Sequence, residues 1–76
     1  MSDFGKRLRA ARQAQGLTQE ALARRSDVSI NTIAKLESGK VHQPLPETAR
    51  KLAAALGVDP AWLLFGEEAE QHDAPR

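Results

Sequence analysis

The sequence predicts an all-α fold of five short helices in one small domain. Three observations carry that prediction. Apolar residues recur as Phe4/Leu8/Ala11, Ile33/Leu36 and Ala49/Leu52/Ala53/Leu56, spacings that put each set on one face of a helix. Capping residues (Asp3, Thr18, Ser29, Asp59) stand ahead of the helical runs and glycines (Gly16, Gly39, Gly57, Gly66) stand after them, which is the order of helix start and stop signals. The chain has 76 residues and no cysteine, so one domain near the lower size limit must be held by packing alone, with neither disulfides nor a cysteine zinc site.

The first helix is expected from Asp3 to about Gln15, with Phe4, Leu8 and Ala11 inward. Its other face carries Lys6, Arg7 and Arg9, which fit phosphate contacts or merely a solvated cationic face. For any single one the solvated face is the favoured reading, because most surface lysines and arginines touch nothing. Thr18 caps the second helix, Glu20 suits its positive N-terminal end, and Ala21, Leu22 and Ala23 supply the inner face. Arg24 and Arg25 complement its far end. Ser26-Asp27 breaks the pattern, because short polar side chains compete with helix for the backbone, and Val28 plugs the turn. Ser29 caps the third helix, Ile33 and Leu36 turn inward, and Gly39 stops it.

The fourth helix starts at Pro46, whose missing N–H would be unpaired there anyway, or one turn later with Thr48 as cap. It buries Ala49, Leu52, Ala53 and Leu56 and ends at Gly57. Asp59-Pro60 repeats the start signal for a last helix over Ala61 to Phe65, closed by Gly66. Trp62-Leu63-Leu64-Phe65 is too apolar for a short helix to bury entirely in so small a domain. Trp62 and Phe65, three apart, serve either as remaining core or as a self-association patch. The domain therefore covers 1–66, and 67–76 (EEAEQHDAPR) is expected to be an acidic, flexible tail.

Thr18 to Lys40 is the stretch around which the rest is organised. Once Ile33 and Leu36 are buried, the third helix shows Asn31, Thr32, Lys35 and Ser38 outward. Asn can bond adenine edges and Lys guanine edges, so this face suits a recognition helix. The same polar, cationic face equally suits an ordinary solvated surface.

The run Leu17-Thr18-Gln19-Glu20-Ala21-Leu22-Ala23, then Val28-Ser29, Ile33 and Leu36-Glu37-Ser38-Gly39-Lys40, resembles the lambda-repressor/Cro-type (XRE) helix-turn-helix family. The likeness continues through Pro44, Thr48, Lys51-Leu52-Ala53, Leu56-Gly57-Val58 and Leu63-Leu64, covering about residues 4–66. It implies a compact five-helix, lambda-repressor-like DNA-binding domain with the helix-turn-helix in helices two and three. By position it implies base readout by Ile30, Asn31, Thr32 and Lys35, with Ile30 limited to apolar contact such as a thymine methyl. It implies phosphate contacts from Gln19 at a helix N-terminus, from Ser29, and from Ser38 and Lys40 around the turn after the reading helix. It also implies an orienting ion pair between Arg12 and Glu37, and a two-fold dimer contact near Trp62 and Phe65. The loop Lys40 to Pro44 is one residue longer than the commonest family version, so roles carried onto it are less direct.

Net charge is only +1, but ten bases against six acids before Glu67 leave the domain at +4, and the tail holds four acids against Arg76. A basic domain with an acidic tail suits a nucleic-acid partner. Aromatics are only Phe4, Trp62 and Phe65, which argues against a base-stacking single-strand or RNA binder. No apolar run approaches a membrane span and no leader pattern is visible, so a cytoplasmic protein is expected. His42 has no second ligand at helical spacing. There is no nucleophile–base–acid set, metal-ligand cluster or glycine-rich phosphate loop, so neither enzyme activity, metal nor cofactor is expected.

The expected function is sequence-specific reading of double-stranded DNA as a transcription regulator, a dimeric repressor on a palindromic operator. The alternative is an antitoxin-like or regulator-binding module. It would use the same fold to hold a protein partner through the tail and the Trp62/Phe65 patch.

Overall fold

A computed structural model of the protein describes residues 3–66. It contains α1 (Asp3–Ala14), α2 (Gln19–Ser26), α3 (Ile30–Ser38), α4 (Pro46–Leu56) and α5 (Pro60–Phe65), and no strand among the described residues. The tail expected over 67–76 lies outside the described residues.

Helix ends follow the cap chemistry. The Thr18 hydroxyl accepts from the Ala21 N–H at 3.0 Å, the Ser29 hydroxyl from Thr32 at 3.1 Å, and the Asp59 carboxylate from Ala61 at 2.7 Å. Each satisfies a donor that the first helical turn leaves unpaired. Gly39 ends α3 at φ 86, a left-handed conformation that a Cβ would resist. Two boundaries differ from expectation, and a third is as expected. Helix α1 stops at Ala14, because the Gln15 and Gly16 N–H groups bond Arg12 and Gln13 carbonyls in tighter turns. Helix α5 begins at Pro60 rather than Ala61. Helix α4 starts at Pro46, after Leu45, with no side-chain cap, so the Thr48 alternative is not used.

One core joins all five helices. Phe4, Leu8 and Ala11 from α1 meet Leu22 from α2, Val28 from the turn, Ile33 and Leu36 from α3, Leu52, Ala53 and Leu56 from α4, and Leu63 from α5. Burying such side chains contributes about 1.5–3 kcal/mol each, the dominant favourable term in a fold with no cross-link. Around this core, α1 and α2 flank α3 on its inner side and leave its opposite side to solvent.

Gly5 sets how closely α1 and α3 approach. A Cβ there would overlap the Leu36 carbonyl oxygen and lie 3.2 Å from that of Glu37. The two backbones therefore meet where α3 ends. At the other side of α1, Arg7 is half-buried and tied to α5: its Nε and Nη2 donate to the Leu63 and Leu64 carbonyls at 2.9 and 2.8 Å. A cation on the last carbonyls of α5 satisfies acceptors that a helix end leaves open. Gln15 makes a similar tie from its side-chain amide to the Leu56 carbonyl at the end of α4.

Candidate nucleic-acid interface

The α2–turn–α3 unit is built by one left-handed residue and one plug. Asp27 has φ 62 and its N–H returns to the Ala23 carbonyl, which ends α2 and swings the chain. Ser26, buried, accepts the Val28 N–H at 3.2 Å, and Val28 drops into the core. Ser29 then restarts the helix. With Ile33 and Leu36 sealed in the core, Ile30, Asn31, Lys35 and Ser38 are exposed and Thr32 is half-buried.

Of the expected base-reading set, Asn31 and Lys35 stand one turn apart on this face. Ile30 is 38% exposed despite being a large apolar residue in a first turn. Thr32 is tied in: its hydroxyl receives the Ser29 hydroxyl at 2.9 Å while its N–H gives to the same oxygen. Ser29 is thus engaged twice within the cap, and any phosphate contact from it would share or replace those bonds.

At the far end of α3 the backbone donors are occupied. The Lys40 N–H bonds the Ser38 hydroxyl at 3.3 Å, the Val41 N–H bonds the Lys35 carbonyl at 3.1 Å, and the Gly39 N–H bonds that of Leu36. Ser38 in turn gives its own proton to the Lys35 carbonyl. What this turn offers an anion is consequently the Lys40 ammonium rather than a free row of amides.

Glu37 is the centre of the unit. It is an acid on the inner side of α3 with 0% of its side chain exposed, which demands partners. Arg12 supplies two: Nε to Oε2 at 2.7 Å and Nη2 to Oε1 at 2.9 Å, the fork geometry that suits a carboxylate. Gln19 Nε2 gives to Oε1 at 3.1 Å and Arg9 Nε approaches the same oxygen at 3.4 Å. Arg12 Nη1 also gives to the Leu17 carbonyl at 2.8 Å, so one guanidinium joins α1, the loop before α2 and α3. Among the described residues no buried side-chain polar atom lacks a hydrogen-bond partner. Burial alone would push the Glu37 carboxyl up, but hydrogen bonds from Arg12, Gln19 and Arg9 and the charge of the Arg12 guanidinium outweigh it and hold it below the usual carboxylate range. The Arg12 guanidinium is held above its usual value chiefly by its bonds to Glu37, against the opposing effect of burial.

Sequence reasoning paired Arg12 with Glu37 through resemblance alone, and placed Gln19 only as a phosphate contact. The structure brings Gln19 and Arg9 onto the same carboxylate. No local signal marks this convergence, because the partners lie 18 and 28 residues from Glu37. Trp62 and Phe65 part company: Trp62 packs against the core cluster, whereas Phe65 is 64% exposed beside a groove lined by Phe4, Arg7, His42 and Leu64. Among the described residues no three His, Cys, Asp or Glu side chains gather as a metal site, and no helix is long and apolar enough to cross a membrane.

The sequence model of the helix-turn-helix family matches residues 8–63, from the inward face of α1 to the core leucine of α5. The chain belongs to the XRE-type helix-turn-helix family. Three proteins to which the chain is similar are named as transcription regulators. RghRB of Bacillus subtilis (strain 168), an uncharacterized HTH-type transcriptional regulator, is 50% identical over 58 residues, covering 76% of this chain and 42% of that protein. PrtR of Pseudomonas aeruginosa, an HTH-type transcriptional regulator, is 49% identical over 69 residues, covering 87% of this chain and 25% of that protein. The HTH-type transcriptional repressor RghR of Bacillus subtilis is 41% identical over 76 residues, covering 97% of this chain and 56% of that protein. The chain thus spans from a quarter to just over half the length of these relatives. Its five-helix, all-α architecture is that of a compact helix-turn-helix domain, a DNA-binding fold.

Proposed function

We propose that the protein is a transcription regulator that reads double-stranded DNA through the major groove with α3, and that it represses from a palindromic operator as a dimer. The observation that carries this reading is the outward face of α3. Asn31, Lys35 and a partly exposed Ile30 project from a helix whose orientation is fixed from behind by the Glu37 cluster. Asn31 pairs with adenine, Lys35 reaches guanine O6 or N7, Ile30 meets a thymine methyl, and Thr32 supports the edge of the patch. Lys40 holds a phosphate with its ammonium, and Gln19, Ser29 and Ser38 do so by sharing or exchanging the bonds they make within the protein, fixing register rather than sequence. Arg12 and Glu37 orient the reading helix. Repression is the role named for one relative, RghR.

Dimerisation would set two α3 helices ~34–36 Å apart, one turn of duplex. Phe65, exposed at the end of α5, is its natural centre, with Trp62 supporting from the core side. Selection from a random duplex pool tests the whole reading. Enrichment of an inverted repeat with half-sites one helical turn apart is expected. A single short site keeps the reading helix and sinks the dimer; no enrichment sinks the DNA reading. The exposed Phe65 also favours a second reading, a module that holds a protein partner. Asn31→Ala with Lys35→Ala separates the two, since it abolishes DNA binding and leaves a partner surface at α5 intact.

A further inference from the structure

The three cations on α1 are sorted by the structure. Arg7 is spent on the α5 carbonyls, Lys6 is simply exposed, and Arg9 stands at the edge of the Glu37 cluster. We propose that Arg9 is a phosphate-binding residue, which carries the DNA-backbone interface from α2 and α3 onto α1. The inference rests on the DNA-binding reading above and selects Arg9 alone of the three α1 cations, for which the sequence left phosphate contact and plain solvation both open; the family match assigns it no role.

Charge and geometry both lead there. Glu37 has one negative charge, and Arg12 already answers it with two short bonds at 2.7 and 2.9 Å. Arg9 adds a second positive charge through a single contact at 3.4 Å, the weakest in the cluster. Two guanidiniums against one carboxylate leave an unbalanced positive charge at this corner. The excess sits on Arg9, whose side chain is 44% exposed against 12% for Arg12.

A guanidinium has five N–H donors, and only the Arg9 Nε–H is turned to Glu37. The terminal nitrogens form a fork of the shape that binds phosphate oxygens. Position supplies the last step. Arg9 and Gln19 bond the same Glu37 oxygen, so the Arg9 guanidinium lies beside the N-terminus of α2, where the backbone contact of the reading is placed. Glu37 keeps the long side chain from sweeping freely, which lowers the entropy lost when an anion arrives.

The test is the salt dependence of binding to the duplex retained from a random pool, with a random-sequence duplex of equal length alongside. Each phosphate neutralised contributes about 0.9 to the slope of log K against log salt. Arg9→Ala is expected to shrink that slope by about 0.9, Arg9→Lys to restore most of it, and thermal unfolding of both to match the wild type. An Arg9→Ala slope equal to the wild-type slope overturns the proposal even if affinity falls, because a residue that only braces the fold does not change how many counterions are released. Wild-type protein that retains no duplex overturns the DNA reading itself, which separates the two failures.

Discussion

The N-terminal part of α3 presents Ile30, Asn31 and Lys35 to solvent, with only the Ser29–Thr32 cap bonds around them. At its C-terminal end, one residue before the last, Glu37 is sealed from solvent and receives hydrogen bonds from three side chains on two other helices. The two ends therefore divide the work. Ile30, Asn31 and Lys35, proposed to read bases, make no side-chain bond among the described residues, so they can be exchanged for others without disturbing the fold. The direction in which they point is set behind them, by a carboxylate that cannot be exchanged without stranding Arg12. On the function proposed for α3, specificity and aim are separable on one nine-residue helix.

The sharpest way to break that division is to cut each end in turn. Glu37→Ala leaves Arg12 without its partner in a mostly buried setting, and removing one member of such a pair costs about 3–5 kcal/mol. In a domain whose whole stability is of order 5–15 kcal/mol, urea unfolding should show a variant near the edge of folding. Asn31→Ala should stay within about 0.5 kcal/mol of the wild type, as exposed substitutions do. Comparable losses from the two would end the claim that they do different jobs.

Gly5→Ala probes the same anchor from the α1 side. In an open helix the change gains about 1 kcal/mol. Here the new methyl group must push α1 off the Leu36 carbonyl, and overpacking costs about 1–3 kcal/mol. A lowered urea midpoint is expected, together with weaker duplex binding by the folded protein, because the displaced contact is where α3 is held. A neutral or stabilised variant would mean that α1 can slide without disturbing α3.

Acid offers a gentler cut. Glu37 titrates below the ordinary carboxylate range when folded, so the folded state binds its proton less readily than the unfolded chain. The stability this provides is fully present above the unfolded carboxylate value of about 4.3 and is lost as pH falls through the lower folded value. Thermal unfolding followed downward from neutral pH should show a steeper acid limb for the wild type than for Glu37→Gln. Parallel limbs would mean that the charge of Glu37 adds nothing to the clasp.

How much of this was legible beforehand depends on range. Helix limits were readable because a cap or a stop acts within one turn: Thr18, Ser29, Asp59, Gly39, Gly57 and Gly66 all sit where their chemistry predicts. The buried stripes of α1, α3 and α4 were readable for the same reason, since periodicity is local. Arg7, Gln19 and Arg9 were not, because a long polar side chain at a surface position gives no sign of which distant carbonyl or carboxylate it will reach. Gly5 carried a faint sign that went unused: a glycine inside a helical run, with no turn to require it, often marks a close backbone approach. The candidate site divided likewise. The outward face of α3 follows from its inward one, but the occupancy of the amides after Ser38 and the parting of Trp62 from Phe65 are tertiary facts.

The smallest expected effect tests whether the turn before α3 shares in aiming it. Asp27 is the one non-glycine residue with positive φ among those described, a conformation costing about 1–2 kcal/mol for most side chains and less for Asp. Its ion pair with Lys51, at 4.0 Å on the surface, returns little. Asp27→Gly relieves the strain but loosens the unfolded chain, so a net gain of about 0.5 kcal/mol is expected, read as a slightly higher Tm. Duplex affinity should not move if Glu37 alone sets the direction of α3. A variant that is more stable yet binds more weakly would show that the stiffness of the turn at Asp27 also holds the reading end, and that aim is fixed from both ends of the helix.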